Sequence, residues 1–323
     1  MGLHVRRAVV VAAALAACSP SEPPRPPPRP PAAGFAFGVF GDAPYGGSDE
    51  RAYRRLLEDV SRSGLAFLIH IGDLHGGRCA DEVIEQRYRS LSSLPVPVIY
   101  TPGDNEWTDC HRRGGGGFAP LERLQRIRSI FFSHPRASLG ASPIVLESQS
   151  AYPAWAEFVE NARWVRAGFV FATVHLVGSA NGTEPFATRS SLDDDAARRR
   201  VAAAIAWLDA AFAIARRDSL HGVVVAMHAD PYIELRGPTN PYEPFLARLA
   251  EQVSTFDGVV VLLHGDSHAY RVDHPLRRAG ASDTLRNFTR VETFGSPDVG
   301  WLRIVIDTAK GTVASVEPRL MSK

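Results

Sequence analysis

Five short polar motifs, each closing an apolar run, constrain this chain more than any other feature. They are Gly41-Asp42, Gly72-Asp73, Gly103-Asp104-Asn105-Glu106, His228, and His264-Gly265-Asp266-Ser267-His268. The runs before them read FAFGVF, LAFLIHI, PVPVIYTP, GVVVAM and GVVVLL. Short, unbroken runs rich in Val, Ile and Phe are the mark of strands buried on both faces. Each run therefore delivers an Asp, Asn or His to the carboxyl end of a strand, the edge at which open α/β sheets bind ligands. Acidic and imidazole groups from five segments meeting at one edge would make a polynuclear metal site. Asp42, Asp73 and Asp104 stand 31 residues apart, about the length of one strand–helix–strand unit. The segments between them carry helical stripes: Tyr53, Leu56, Leu57 and Val60 within residues 49–63, and Val83, Tyr88, Leu91 and Leu94 within residues 81–94.

Further along, residues 133–163 are rich in Pro, Ser and aromatics and are expected to cap the site. A strand is expected over 168–178 and a long helix over 191–217. Ser191 is the expected cap of that helix, with Asp193, Asp194 and Asp195 in its first turn. Val201, Ile205, Leu208 and Phe212 form its apolar stripe. A strand over 222–227, a helix over 243–255 and a strand over 258–263 follow. Residues 288–294, 301–307 and 312–317 alternate apolar and polar side chains, as antiparallel strands do. One α/β domain over residues 35–323 is expected, with two sheets face to face and helices outside.

The N-terminus reads as a targeting segment. Arg6 and Arg7 precede the run AVVVAAALAA, which ends at Cys18. The run is too short to span a bilayer as a helix and suits a signal-peptide core. Leu15-Ala16-Ala17-Cys18 resembles a bacterial lipobox, so residues 1–17 are expected to be removed and Cys18 to carry lipid. The stretch SPSEPPRPPPRPPAAG makes residues 18–34 an extended tether. Ser19, rather than Asp, follows Cys18, and nothing argues for retention at the inner membrane. The expected location is the periplasm or cell surface, anchored at the outer membrane. Of the chain's three cysteines, Cys79 and Cys110 then remain, and export to an oxidising compartment predicts a disulfide between them. Each lies six residues after a motif Asp, so the bridge would tie two site loops together. A net charge of +1 gives no indication of nucleic-acid binding.

Taken in order, the motifs resemble the series GD, GD, GNH(D/E), H and GHxH of the calcineurin-like metallophosphoesterases, which include the purple acid phosphatases. The resemblance runs from Phe35 to about Glu317. It implies a four-layer α/β/β/α sandwich and two divalent metal ions. It further implies hydrolysis of a phosphate mono- or diester by a hydroxide bridging the metals. By position, the resemblance makes Asp42 a ligand of the first metal, Asp73 the bridge, His228 a ligand of the second metal and His268 a ligand of the first.

The chain departs from that pattern in several places. Pro44 stands where the first motif usually has a His, and Tyr45 beside it could offer its phenol to the site. A gapless alignment puts Asp104 at the ligand Asn and Asn105 at the His that protonates the leaving group. A one-residue slip makes Asn105 the ligand instead. Asp266 replaces the first His of GHxH, with His264 as a rival ligand. Imidazoles are lost and carboxylates gained, which favours Mn²⁺ or Mg²⁺ over Fe²⁺ or Zn²⁺. A substitute general acid is then needed, and His111 and His75 are the candidates. Arg112 and Arg113, before the glycine run 114–117, could hold substrate phosphate oxygens, and Asn181 could line the site. The expected function is an exported, membrane-tethered phosphoesterase. The alternative is a catalytically inactive metal- or ligand-binding lipoprotein of the same fold.

Overall fold

Alternation along the first strand sets the layering of the computed structural model, which describes residues 1–2, 34–232 and 240–322. Cys18, the apolar run before it and the Pro-rich stretch lie outside the described residues. In β1 (Gly34–Phe40), Phe37 and Val39 face one core while Ala36 and Phe40 face another. β1 is the middle of a five-stranded sheet ordered β12 (Thr312–Leu320), β11 (Gly300–Asp307), β1, β2 (Leu68–His70) and β3 (Val98–Tyr100). The second sheet has seven strands. Its order is β4 (Glu147–Ser148), β5 (Ala162–Arg166), β6 (Phe169–Thr173), β7 (Gly222–Ala226), β8 (Val259–His264), β10 (Phe288–Glu292) and β9 (Arg271–Asp273).

Three hydrophobic cores hold four layers together. Ala36 and Phe40 share the first with Tyr53 and Leu56 of the helix Asp49–Arg62, and with Ile84 and Leu91 of the helix Asp81–Ser92. Between the sheets, Phe37 and Phe67 pack on Phe171 and Trp164, with ring centroids 5.0–5.4 Å apart. Each such buried ring contributes roughly 1.5–3 kcal/mol. On the far side, Trp207, Leu208 and Phe212 of the helix Ser191–Arg217 and Phe245 and Leu249 of the helix Glu243–Ser254 cover Val170, Val223 and Val260. The result is the expected α/β sandwich of two sheets flanked by helices.

Several details differ from the sequence expectation. Ser190, not Ser191, caps the long helix: its side chain accepts from Leu192 N, and Asp193 reaches back to Ser190 N at 2.8 Å. The cap falls one residue early because Asp193 must stand at the third helical position to close the box. Residues 133–163 make no hydrogen bond or ion pair to the motif carboxylates among the described residues. They seal the sheet edges instead, through a Leu139–Val98 bridge and through Leu146 and Ala162 in the inter-sheet core. β10 pairs parallel with β8 and antiparallel only with β9. Its polar Arg290 alternates with apolar residues because an ion pair to Asp273 satisfies it inside the sheet. Cys79 and Cys110 form a disulfide, with Cα atoms 5.7 Å apart. No helix among the described residues is long and apolar enough to cross a membrane.

Candidate metal centre

The carboxyl ends of β1, β2, β3, β7 and β8 meet at one edge of the two sheets, and each releases its motif there. Asp42 N donates to Gly72 O at 3.1 Å and Gly265 N to His228 O at 3.0 Å, so the loops are stitched to one another by their backbones. The approach is close enough that a side chain at Gly103 would strike Asp73 Oδ1, and one at Gly72 the backbone of residue 103. Asp42, Asp73, Asp266 and His268 all have positive φ, between 55° and 73°. L-residues with side chains rarely hold that conformation, at a cost of about 1–2 kcal/mol each. Strain gathered on four motif residues marks this edge as a working site.

Two overlapping groups of ligand atoms result, each spanning no more than 4.8 Å: Asp42, Asp73 and His228, and Asp104, His228 and Asp266. His228 joins them. Its Nδ1–H donates to Ile71 O at 2.9 Å, and Nε2 lies 2.8 Å from Asp104 Oδ1, 3.4 Å from Asp73 Oδ1 and 3.6 Å from Asp266 Oδ1. Tyr45 stands beside the first group. Its hydroxyl makes a short hydrogen bond to Asp73 Oδ2, and lies 3.5 Å from Asp42 Oδ1 and 3.2 Å from His268 Nε2. Asp49 positions this tyrosine by accepting from Tyr45 N at 3.1 Å.

The electrostatics of the cluster call for cations. Among the described residues, the ion pairs of Asp42, Asp73, Asp104 and Asp266 are all to histidine. Burial pushes the Asp42 carboxyl up to about 8 and lifts Asp73 well above the usual carboxylate range. Burial opposes charge on His228 as well, but Asp73, Asp104 and Asp266 outweigh it and raise its pKa well above the histidine norm. Burial also acts to raise Asp104, yet the hydrogen bond and charge of His228 bring it down to about 2. The imidazolium thus brings Asp104 down, while Asp42 and Asp73 stay raised by their burial. Such a donor set, mostly carboxylate with the imidazoles of His228 and His268 beside it, fits divalent cations.

The calcineurin-like phosphoesterase family matches residues 35–270. The chain belongs to that family. Among solved structures, one described as the structure of PhoD superposes with a TM-score of 0.51 at 13% identity, covering 87% of this chain and 66% of that one. The chain therefore spans 66% of that structure's length and shares its fold. The crystal structure of TT1561 from Thermus thermophilus gives a TM-score of 0.48 at 12% identity, covering 89% of this chain and 99% of that one. No curated protein matches the sequence.

The remaining motif residues separate by position. At the third motif, Asp104 lies against His228, while Asn105 donates from its backbone N (3.0 Å) and side-chain Nδ2 (2.6 Å) to Asp73. At the last motif, Asp266 is in the cluster and its backbone N donates to both Asp42 oxygens at 3.2 Å. His264 lies elsewhere, grouped with Asp230 and Glu292. His268 Nδ1 donates to Ser296 O at 2.7 Å, which leaves Nε2 toward Tyr45 and 3.6 Å from Asp42. Glu106 is fully buried and braces two loops, accepting from Leu74 N at 2.8 Å and Gly103 N at 3.1 Å.

The proton-donor and substrate candidates stand further out. His75 is buried, its pKa pulled down to about 4 by burial, and its Nδ1 accepts from Arg78 N. His111 donates to Thr108 O and stacks on Phe186 at 4.7 Å. Neither makes a hydrogen bond to the cluster among the described residues. Arg112 is held by Asp109, by Glu184 at 2.9 Å and by Ser179 at 3.3 Å, and Arg113 is exposed. The backbone of Asn181 is pinned by Tyr242 and Arg200, and its side-chain oxygen is buried without a partner.

Sequence reasoning missed Ser179 and Asp109. Ser179 Oγ lies 2.8 Å from Asp104 Oδ2 and 2.7 Å from Asp109 Oδ1. Ser179, Ala180 and Asn181 form one left-handed turn, with φ of 50–56°. The stretch GSANG was readable as a turn, but its contact with Asp104 joins the loop after β6 to the loop after β3 of the other sheet.

Proposed function

We propose that this phosphoesterase is an exported, lipid-tethered enzyme that uses two divalent cations to hydrolyse a phosphate mono- or diester. The observation that carries the reading is the cluster of four motif carboxylates whose ion pairs, among the described residues, are all to histidine. Asp42, Tyr45, Asp73 and His268 would hold one cation, and Asp73, Asp104, His228 and Asp266 the other. When bound, the two cations would supply Lewis-acid charge to the phosphoryl oxygens and acidify a water. Oxygen donors outnumber imidazoles, which supports Mn²⁺ or Mg²⁺ over Zn²⁺. Asn105 fixes Asp73 through two hydrogen bonds and has no proton to give a leaving group. The enzyme is then selective for leaving groups that depart as stable anions. The Arg6–Cys18 leader and the disulfide, a bond of oxidising compartments, support export and a tether at Cys18.

The deciding experiment measures metal content and turnover on one sample, with nitrophenyl phosphate and bis-nitrophenyl phosphate after reconstitution with Mn²⁺, Mg²⁺, Zn²⁺ or Fe²⁺. Turnover that requires metal and disappears in Asp73→Asn is expected. Metal at the cluster with no turnover of either ester would favour a binding protein. Full activity with Zn²⁺ alone would overturn the metal preference.

A further inference from the structure

A second, independent donor cluster lies on the outer, helix-covered face of the seven-stranded sheet. His264 ends β8 and Glu292 ends β10, and the two are register partners on adjacent parallel strands. Asp230, in the loop after β7, completes the group. One ligand atom from each lies within 4.8 Å of the others. All three side chains are buried, at 2%, 0% and 0% exposure for Asp230, His264 and Glu292. None of them belongs to the groups around His228.

The cluster leaves buried polar atoms unsatisfied. His264 Nδ1 is 3.0 Å from Gly265 O. A carbonyl only accepts, so Nδ1 carries the proton and Nε2 presents a bare lone pair. Among the described residues Nε2 has no hydrogen-bond partner, and neither has Glu292 Oε2. Glu292 Oε1 is taken by the Ser267 hydroxyl, and Asp230 Oδ1 accepts from Tyr232 N at 2.9 Å. A buried acceptor left unpaired is unfavourable. The cationic side chains near it among the described residues do not meet the need. Arg290 spends Nε and Nη2 on Asp273, with Nη1 3.6 Å from Asp230 and itself without a hydrogen bond. Arg271 Nε is 3.7 Å from Glu292 Oε2, on a side chain 42% exposed.

We infer that Asp230, His264 and Glu292 form a further divalent-cation site, structural in role. One imidazole nitrogen with two carboxylates suits a first-row ion such as Zn²⁺ or Mn²⁺ better than Ca²⁺, which takes oxygen alone. The site supports the motif edge through the backbone. Asp230 N donates to Asp266 Oδ2 at 3.1 Å, and Ser267 and Ala269 both bond Glu292. An ion here would lock the loop that presents Asp266 and His268.

The test is an anomalous difference map of wild-type crystals grown with ZnCl₂, recorded on both sides of the zinc edge. A peak between Asp230, His264 and Glu292 is expected, whether or not density appears beside Asp42 and Asp73. Native mass spectrometry of Glu292→Gln should then show one metal ion fewer per chain than wild type. A map without a peak at this cluster overturns the proposal. So does equal metal content in Glu292→Gln and wild type, which would assign Arg290 as the cation that serves these acceptors. Because the peak is read separately from the His228 groups, failure here is distinct from failure of the two-cation reading.

Discussion

Replacing Asp42 by Asn should stabilise the chelated protein while destroying its activity. Asp42 is fully buried, and burial raises its carboxyl from 3.8 to about 8. An acid whose folded pKa lies above its unfolded value favours folding fully below 3.8, and that contribution is lost as pH rises through 8. At pH 7 the gap of about 3 pH units corresponds to about 4 kcal/mol. Asn has the same shape, accepts the Asp266 N–H through Oδ1, and carries no such penalty. After chelation, Asp42→Asn should therefore melt above wild type at pH 7–8, by roughly 10 °C for that free energy. The difference should shrink toward zero as pH approaches 4. Added Mn²⁺ should narrow the difference, since a ligand at 100 times its Kd contributes about 2.7 kcal/mol to wild type. Differential scanning calorimetry across pH 4–8, with and without metal, reads all three effects. A difference that does not vary with pH, or a chelated wild type as stable as the variant at pH 8, would refute the reasoning.

Asn105→His restores a proton donor beside Asp73. It should raise kcat on alkyl phosphates roughly tenfold or more while leaving nitrophenyl esters nearly unchanged, within the range of general acid catalysis. The double variant Cys79→Ser/Cys110→Ser opens a loop with a sequence separation of 31, and chemical denaturation should show a loss of about 4 kcal/mol. Glu160 is fully buried between Arg128 and His175, at 2.6 and 2.7 Å. Burial acts to raise its pKa, but Arg128 and His175 bring it down to about 2. Glu160→Gln strands both partners and should cost about 3–5 kcal/mol, measured at pH 7. The depressed pKa places the wild-type contribution above the unfolded carboxylate range, to be lost as pH falls toward 2.

The layers of the fold were legible because buried strands announce themselves. FAFGVF and GVVVLL have no polar face to lose, so their burial follows from composition alone. Strand direction was not legible in FTRVE. Alternation reports how polar a face is, and Arg290 owes its place inside a parallel pair to Asp273 on a neighbouring strand. The 31-residue spacing of Asp42, Asp73 and Asp104 carried the order of the site loops. The choice between Asp104 and Asn105 as neighbour of His228 depends on how the turn after β3 enters the site, which no local pattern records. Ser179 and Glu292 were illegible for a similar reason. Ser179 reaches Asp104 from the other sheet, 75 residues away, and Glu292 reaches Ser267 from the neighbouring strand, 25 residues away.

The disulfide makes the assembly of the motif edge depend on redox history. Cys79 and Cys110 follow the loops that present Asp73 and Asp104, and the sulfurs of both lie near Asn105 O. Hydrogen bonds also join the two loops, among them those from Asn105 to Asp73 and from Leu74 N to Glu106. Oxidation converts the two loops into a single strap around Asn105. The bridge therefore couples the position of Asp73 to that of Asp104 by a covalent path that does not run through the sheet.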